Sequence, residues 1–374
     1  MRVVVAPDKF KGSLSAPAVA AAVSTGLRAV VPDVEAIEAP VADGGDGTLD
    51  AALSAGFTRV PVRVSGPTGE PVDTAYAVRD GVAVVELADA CGLNRLPRGE
   101  LAALTASSAG LGQVMRAALD AGCTSVVLGI GGSASTDGGA GMLAELGVRL
   151  LDADGMPLPP GGGALERLDR IDLSRLHPAL EHAQVLLASD VDNPLLGPTG
   201  AAEVYGPQKG ASPEDVRLLE RGLARLLDVF AEQLPSAKDA ATVPGAGAAG
   251  GVGFAALALL GAQPRPGIDL LLELIDFRAK LPGAALVVTG EGSLDTQTLH
   301  GKAPAGVAAA ARATRVPVVA VAGRSLLRTD DLAAAGIVAA YPLSDLEPDP
   351  ARSIANAGPL LEQVAHRIAQ EWLT

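Results

Sequence analysis

An α/β protein of two domains is what this sequence predicts, on three observations. Short apolar runs of strand length, at 3–6, 82–87, 125–130, 185–188, 286–289, 316–321 and 337–341, alternate with helical segments. Several runs end directly in glycine or an acid, as strands of an open parallel sheet do where a ligand binds beyond their carboxyl ends. The stretch 57–87 alternates β-branched residues between turns at Gly66-Pro67, Gly69 and Asp80-Gly81, which reads as antiparallel hairpins and therefore as a second kind of sheet.

Taken in order, the first strand leads into a helix over 16–30. After the hairpins, Leu111, Val114, Met115, Ala118 and Leu119 recur at helical spacing behind Ser107 and Ser108, the expected N-caps. A long helix spans 213–234, the segment 157–163 (PLPPGGG) is a loop by composition, and an apolar helix covers 252–260. Strand-helix units both before the hairpins and after about residue 285 imply a domain built from both ends of the chain, 1–62 plus 286–374, with 63–285 inserted.

At 374 residues and 48% apolar content the chain can bury two cores, and 2% aromatic residues means Ala, Val and Leu must fill them. A net charge of −14 excludes nucleic acid and anionic membrane as partners, since either requires a basic face. Cys91 and Cys123 give no disulfide framework and read as core packing. Those two cysteines, His177, His182 and His366 show no zinc or triad spacing. Met1 leads straight into the first strand, and no run of 18 apolar residues follows, so the expectation is a cytoplasmic protein.

Six lysines stand against twenty-three arginines, and Lys9, Lys11, Lys209 and Lys302 lie in glycine-rich, acid-bearing segments. Where Arg meets the surface demand for cations, a Lys kept in such a loop suggests a compact point charge for phosphate or carboxylate. Asp8, Lys9, Lys11 and Ser13 lie between the first strand and its helix, where unpaired N–H groups and two ammoniums would make an anion site. Asp43 and Asp46 sit among three glycines, suited to close approach of a ligand hydroxyl or Mg2+. The run from Gly129 through Gly131, Gly132, Ser133 and Asp137 to Gly141 follows a strand. Formally it contains G-x-G-x-x-A, with Asp152 about twenty residues on. Asp137 and its glycines interrupt the helix a dinucleotide fold needs there, so a backbone cradle for phosphate or carboxylate is the better reading. Asp190 and Asp192, followed by Lys209, and Glu291 and Asp295, followed by Lys302, repeat one pattern. Each has acids at a strand end and a later lysine, which suits phosphoryl transfer. No Walker segment G-x-x-x-x-G-K-[ST] is present.

Together, in order along nearly the whole chain, APDKFKGSLSA, PVADGGDGTLDA, GIGGSASTDGGAGM, SDVDNPLLGPTGA, YGPQKGA, GAGAAGGVGFA and TGEGSLDTQTLHGKAPAGVA closely resemble the bacterial glycerate kinase family of the first type. Asp46 stands where that family usually has Glu, and Ser135-Thr136 where Thr-Asn is common. The resemblance implies two α/β domains, one flavodoxin-like and one mixed-sheet, restriction-endonuclease-like, with the active site in the cleft between them. It implies transfer of the ATP γ-phosphate to D-glycerate, most often giving 2-phosphoglycerate, with Mg2+ carried on the nucleotide. It leaves 3-phosphoglycerate as product and a homodimer open.

Carried over residue by residue, the family's motifs fall on Asp8, Lys9, Lys11, Ser13, Asp43, Asp46, Ser133, Asp137, Asp190, Asp192, Glu291, Asp295 and Lys302; the side-chain chemistry within that set assigns catalytic roles to Asp190, Lys11, Lys302 and Asp8, with Asp190 favoured beside the substrate hydroxyl. Lys9, Ser13, Asp43, Asp46, Asp192, Glu291 and Asp295 fall to substrate binding. Gly131, Gly132, Ser133, Asp137, Gly247 and Gly250 fall to ATP phosphates, and Asp190 or Asp295 to Mg2+. Two rivals remain: an NAD-dependent 2-hydroxy-acid oxidoreductase resting on 129–134 and Asp152, and a non-enzymatic sugar-acid sensor.

Overall fold

The computed structural model describes residues 1–97 and 100–374. Its strands are β1 (Arg2–Pro7), β2 (Glu35–Glu38), β3 (Thr58–Ser65), β4 (Pro71–Arg79), β5 (Val82–Glu86), β6 (Ser125–Gly129), β7 (Arg149–Leu151), β8 (Arg170–Asp172), β9 (Gln184–Ala188), β10 (Gln263–Arg265), β11 (Ala284–Leu294), β12 (Val318–Ser325) and β13 (Ala339–Pro342). The chain divides into two compact units, Met1–Asp43 with Asp50–Phe57 and Pro266–Thr374, and Gly44–Leu49 with Thr58–Arg265.

In the first unit five parallel strands run in the order β2-β1-β11-β12-β13. Both faces are covered, which is why these strands are almost unbroken apolar runs. Val3, Val5, Leu286, Val288, Val319 and Val321 meet the helices Ala16–Val30 and Ala357–Trp372 on one side. Val4, Ala6, Val287 and Ala320 turn the other way, onto Val307 and Ala308 of the helix Ala303–Ala311 and Ile268 and Leu272 of the helix Gly267–Leu274. Each valine so buried contributes about 1.5–3 kcal/mol.

In the second unit six strands run β10-β9-β6-β5-β4-β3, antiparallel from β3 to β5 and parallel from β5 to β10. Asp80 and Gly81, at φ 50° and 76°, supply the two left-handed residues that a tight hairpin between β4 and β5 requires. Both edge strands carry proline, Pro61 in β3 and Pro264 in β10, where a missing N–H costs no ladder bond. The helix Ala109–Asp120 places Leu111, Met115 and Ala118 in this core. The helix Pro213–Gln233, opened by a capping box at Ser212 and Asp215, adds Leu219, Leu223, Leu226 and Phe230.

Two expectations need correction. Unit boundaries at 62/63 and 285/286 would cut β3 and β11, whereas β3 pairs with β4 along its whole length. The residues before β11 bury Ile268, Ile275 and Phe277 in the first unit. Ser108 does not cap its own helix with its side chain; its Oγ donates instead to Asp137 at 2.9 Å. The apolar helix expected from Val252 is present and runs to Leu259, behind a bend of left-handed Ala249, Gly250 and Gly251. Strands β2, β7, β8 and β10 were not expected at all; three or four residues are too few to show a period.

Candidate active site

Counted within its own unit, the first sheet has strand order 2-1-3-4-5. The order reverses between β1 and β11, and in such sheets the crevice beyond the carboxyl ends of that strand pair is where ligands bind. Asp8 leaves β1 at this point, its amide donating to the Gly290 carbonyl of β11 at 2.7 Å, and Glu291 follows on β11. Asp8 is 6% exposed, accepts the Lys9 amide at 2.6 Å and lies 3.7 Å from Lys9 Nζ. Burial pushes its carboxyl up to about 7; Lys9 opposes that shift, while Asp43 and Glu291 add to it. Burial likewise raises Glu291, against the Thr298 hydroxyl bonded to its Oε1 and the charge of Lys302, with Asp295 and Asp43 pushing further up. Thr298 is tied in turn to the Asp295 amide at 3.0 Å. The first unit thus gathers Asp8, Lys9, Asp43, Glu291, Asp295 and Lys302 into one electrostatically coupled group. Thr298, a buried hydroxyl in a segment read only for its charges, escaped the sequence analysis.

Lys11 and Ser13 are placed differently from expectation. Residues 10–14 close a tight turn, with Phe10 and Leu14 bridged and Lys11 exposed. Ser13 Oγ donates to the Ile354 carbonyl at 2.9 Å, so its proton serves the fold, and Ser15 is the residue that caps the following helix. The helix start is thus capped by Ser15, and Ser13 is bound into the fold rather than turned to a ligand.

In the second unit the segment Gly44–Leu49 lies against the carboxyl ends of β6 and β9. A Cβ on Gly44 would come within 2.9 Å of Ala188, and one on Gly131 within 2.6 Å of Gly45. Glu86, the last residue of β5, accepts the amides of Gly47 at 3.2 Å and Leu49 at 2.9 Å. Burial pushes it up to about 7, against the Leu49 amide and with help from Asp46. Asp46 itself is exposed. Glu86 was missed because the apolar run was read through to Leu87, although an acid closing a strand was the very signal used elsewhere.

The glycine-rich run after β6 divides into an exposed tip and parts that hold the fold. Gly132 is exposed, with its left-handed φ of 74°, and Ser133 is buried with its Oγ accepting from Lys209 Nζ at 2.8 Å. Asp137 is fully buried and accepts from Ser108 N, Ser108 Oγ, Gly139 N and Gly141 N at 2.8–3.2 Å. Its expected place on ATP is thereby corrected to that of an internal clamp. Gly247 is corrected likewise, since its amide donates to the Asn193 carbonyl at 2.8 Å and a Cβ there would strike Pro194. Gly250, at φ 68°, accepts from the Gly138 amide at 2.9 Å and leaves no room for a side chain against the Ser135 carbonyl. It packs the two glycine-rich segments together. Asp190 and Asp192 are exposed beyond β9, with Tyr205 bonded to the intervening loop at Asn193 Oδ1, 2.6 Å.

Residues 3–373 match the family described as the Glycerate kinase family. A glycerate kinase of Halalkalibacterium halodurans is 42% identical, over 98% of this chain and 97% of its own. The chain belongs to the glycerate kinase family. A glycerate 2-kinase of Escherichia coli is 43% identical over 89% of the chain and 87% of its own. A crystal structure provisionally assigned as glycerate kinase 2 from Salmonella typhimurium LT2 superposes with a TM-score of 0.85 at 40% identity, covering 99% and 98% of the two chains. The protein is therefore a kinase with a mixed α/β fold. The dinucleotide reading falls on geometry as well. Asp152 follows β7, which pairs antiparallel with β8 outside the main sheet, and its carboxylate accepts the Asp154 and Met156 amides of its own turn. No helix among the described residues is long and apolar enough to cross a membrane.

Proposed function

We propose that this kinase transfers the γ-phosphate of ATP to the 2-hydroxyl of D-glycerate, giving 2-phosphoglycerate and ADP, in the cytoplasm. The observation that carries the chemistry is the coupled group at the β1–β11 switch point, with a buried acid held near neutrality. Asp8, pushed up to about 7, is suited to accept the hydroxyl proton, because a base works best when its pKa lies near the working pH. Asp8 is favoured in this role over Asp190, which lies exposed after β9. Lys9 and Lys302 supply positive charge for the glycerate carboxylate and the transferring phosphoryl group. Glu291, held by Thr298, positions Lys302 and keeps Asp8 from ionising early.

The run Gly131-Gly132-Ser133, free of bulky side chains at the end of β6, would receive nucleotide phosphates. Among the described residues no three His, Cys, Asp or Glu side chains are gathered to enclose a cation. Mg2+ would enter on the nucleotide and be held by one or two carboxylates, of which Asp295 is the better placed, and phosphate oxygens. When bound, the ion would neutralise charge on the phosphates. The strand order of the first unit supports the flavodoxin-like description, and the mixed sheet of the second is compatible with the restriction-endonuclease-like one. Two buried, unpaired cysteines fit a reducing compartment.

Incubation with MgATP and either D-glycerate, L-glycerate or glycerol, followed by ³¹P NMR, tests the reading. 2-Phosphoglycerate from D-glycerate alone is expected. Equal turnover of glycerol would overturn it, because the substrate carboxylate would then contribute nothing.

A further inference from the structure

Lys209 is the largest buried side chain the phosphoryl-transfer reading leaves unused. It is 1% exposed, at the end of the short helical turn Pro207–Lys209. Its Nζ donates to Ser133 Oγ at 2.8 Å and to the Ser135 carbonyl. Gly250, from the second glycine-rich segment, is close enough that a Cβ there would lie 3.0 Å from Nζ. The ammonium therefore stands where the two glycine-rich segments meet. Among the described residues no carboxylate lies within ion-pair distance of it, and the charged or titratable groups that face it are Asp137, in the loop after β6, and Cys91. The segment 245–251 contributes only Gly and Ala.

An ammonium has three donors and no acceptor, and a hydroxyl has one donor and two acceptor positions. Ser133 Oγ, already accepting from Nζ, must aim its own proton elsewhere, and donation from a charged group polarises that proton toward a further acceptor. A buried cation without an ion pair also costs desolvation free energy, which an anion bound nearby would offset. We propose that Lys209 is a positioning residue for the phosphate-bearing ligand. It orients the Ser133 hydroxyl as an outward donor in the loop after β6, and places beneath that loop a positive charge with no carboxylate at ion-pair distance among the described residues. The proposal rests on the reading that this loop receives the nucleotide.

A consequence separates this role from simple packing. Burial lowers Lys209 to about 7, with Asp137 and then Cys91 opposing the shift. An anion bound above it favours the charged form, so binding must draw in protons near neutral pH, and the coupling is reciprocal.

The experiment measures proton uptake on binding of MgADP at pH 7.5, in weakly buffered solution with an indicator dye, for wild type and Lys209→Met, alongside the KM values for ATP and D-glycerate. Lys209→Met is expected to remove the uptake seen in wild type and to raise the KM for ATP on the order of tenfold, the loss of one charge-assisted contact. The KM for D-glycerate should stay within about twofold. Unchanged uptake and unchanged KM for ATP in a folded Lys209→Met would overturn the proposal while leaving the nucleotide reading intact. A raised KM for D-glycerate with ATP unaffected would overturn the assignment of the loop to nucleotide. If Lys209→Met does not melt cooperatively, Ser133→Ala decides. That variant keeps the ammonium and loses the hydroxyl, so a raised KM for ATP supports the proposal and a wild-type value overturns it.

Discussion

Two buried aspartates, one in each unit, show how the same side chain is put to opposite uses. Asp8 in the first unit is stitched by its backbone to β11, faces Lys9, and is pushed up to about 7 by burial, with Asp43 and Glu291 adding to the shift. Asp137 in the second unit has its carboxylate filled by three amides and a hydroxyl of its own chain. An acid saturated with fixed donors holds a loop; an acid kept short of them, among like charges, can move a proton. The wider contrast follows the same line. The first unit concentrates side-chain charge at a sheet switch point, and the second concentrates glycine backbone over a buried lysine.

The comparison breaks most completely if the first unit is cut. A chain ending at Gly283 keeps β1 and β2 but loses β11, β12 and β13, leaving Val3 to Ala6 with one edge bare and without the helices Ala303–Ala311 and Ala357–Trp372 on their faces. Loss of cooperative melting and of soluble expression is the expected outcome, and a folded, cooperatively melting product would show that the second unit's residues carry β1 without them.

Exchanging the two aspartates' roles gives the next largest effect. Asp8→Asn should lower kcat by about 10²-fold or more with little change in KM. It should also raise Tm more at pH 8 than at pH 5. Because folded Asp8 holds its proton up to about 7, the ordinary carboxylate range being near 3.8, ionising it costs stability as pH rises through that window, and asparagine avoids the cost. Asp137→Asn should do the reverse, lowering Tm at every pH by unpairing buried amides, by about 2 kcal/mol of stability. Thermal melts of both variants at the two pH values separate the roles.

Lys302→Arg should reduce kcat/KM on the order of tenfold, since a planar fork cannot occupy the point that a compact ammonium does, while Lys238→Arg should leave the rate unchanged. Lys280, which also lies outside the glycine-rich segments, donates to the Ile275 carbonyl at 2.6 Å and is unsuitable as a control. Steady-state kinetics decide this, and equal rates for Lys302→Arg and wild type would remove Lys302 from the site. The smallest effect belongs to Glu86→Gln, whose amide oxygen can still accept from Gly47 and Leu49. It should keep kcat within about threefold, whereas Glu86→Ala, leaving both amides unpaired, should lower Tm.

What could be read from the chain alone followed from physical range. Buried parallel strands announce themselves as apolar runs, and the acids and lysines of the first unit sit in segments whose composition fits no other use, so Asp8, Asp43, Glu291, Asp295 and Lys302 were within reach. The division of labour among them was not. Whether an aspartate is saturated, as Asp137 is, or strained toward neutrality, as Asp8 is, depends on amides and charges brought from distant positions. Glu86, Thr298 and Ser13 illustrate the same limit, since each acquires its partner only through the fold.

The most direct test of the account is the pH dependence of kcat/KM for D-glycerate in wild type and in Asp8→Asn. With Asp8 as proton acceptor, wild-type activity falls as pH drops through about 7, and that limb disappears in Asp8→Asn, whose residual rate is flat across the same range. The same acid limb persisting in Asp8→Asn would place the titrating base elsewhere and contradict the central claim.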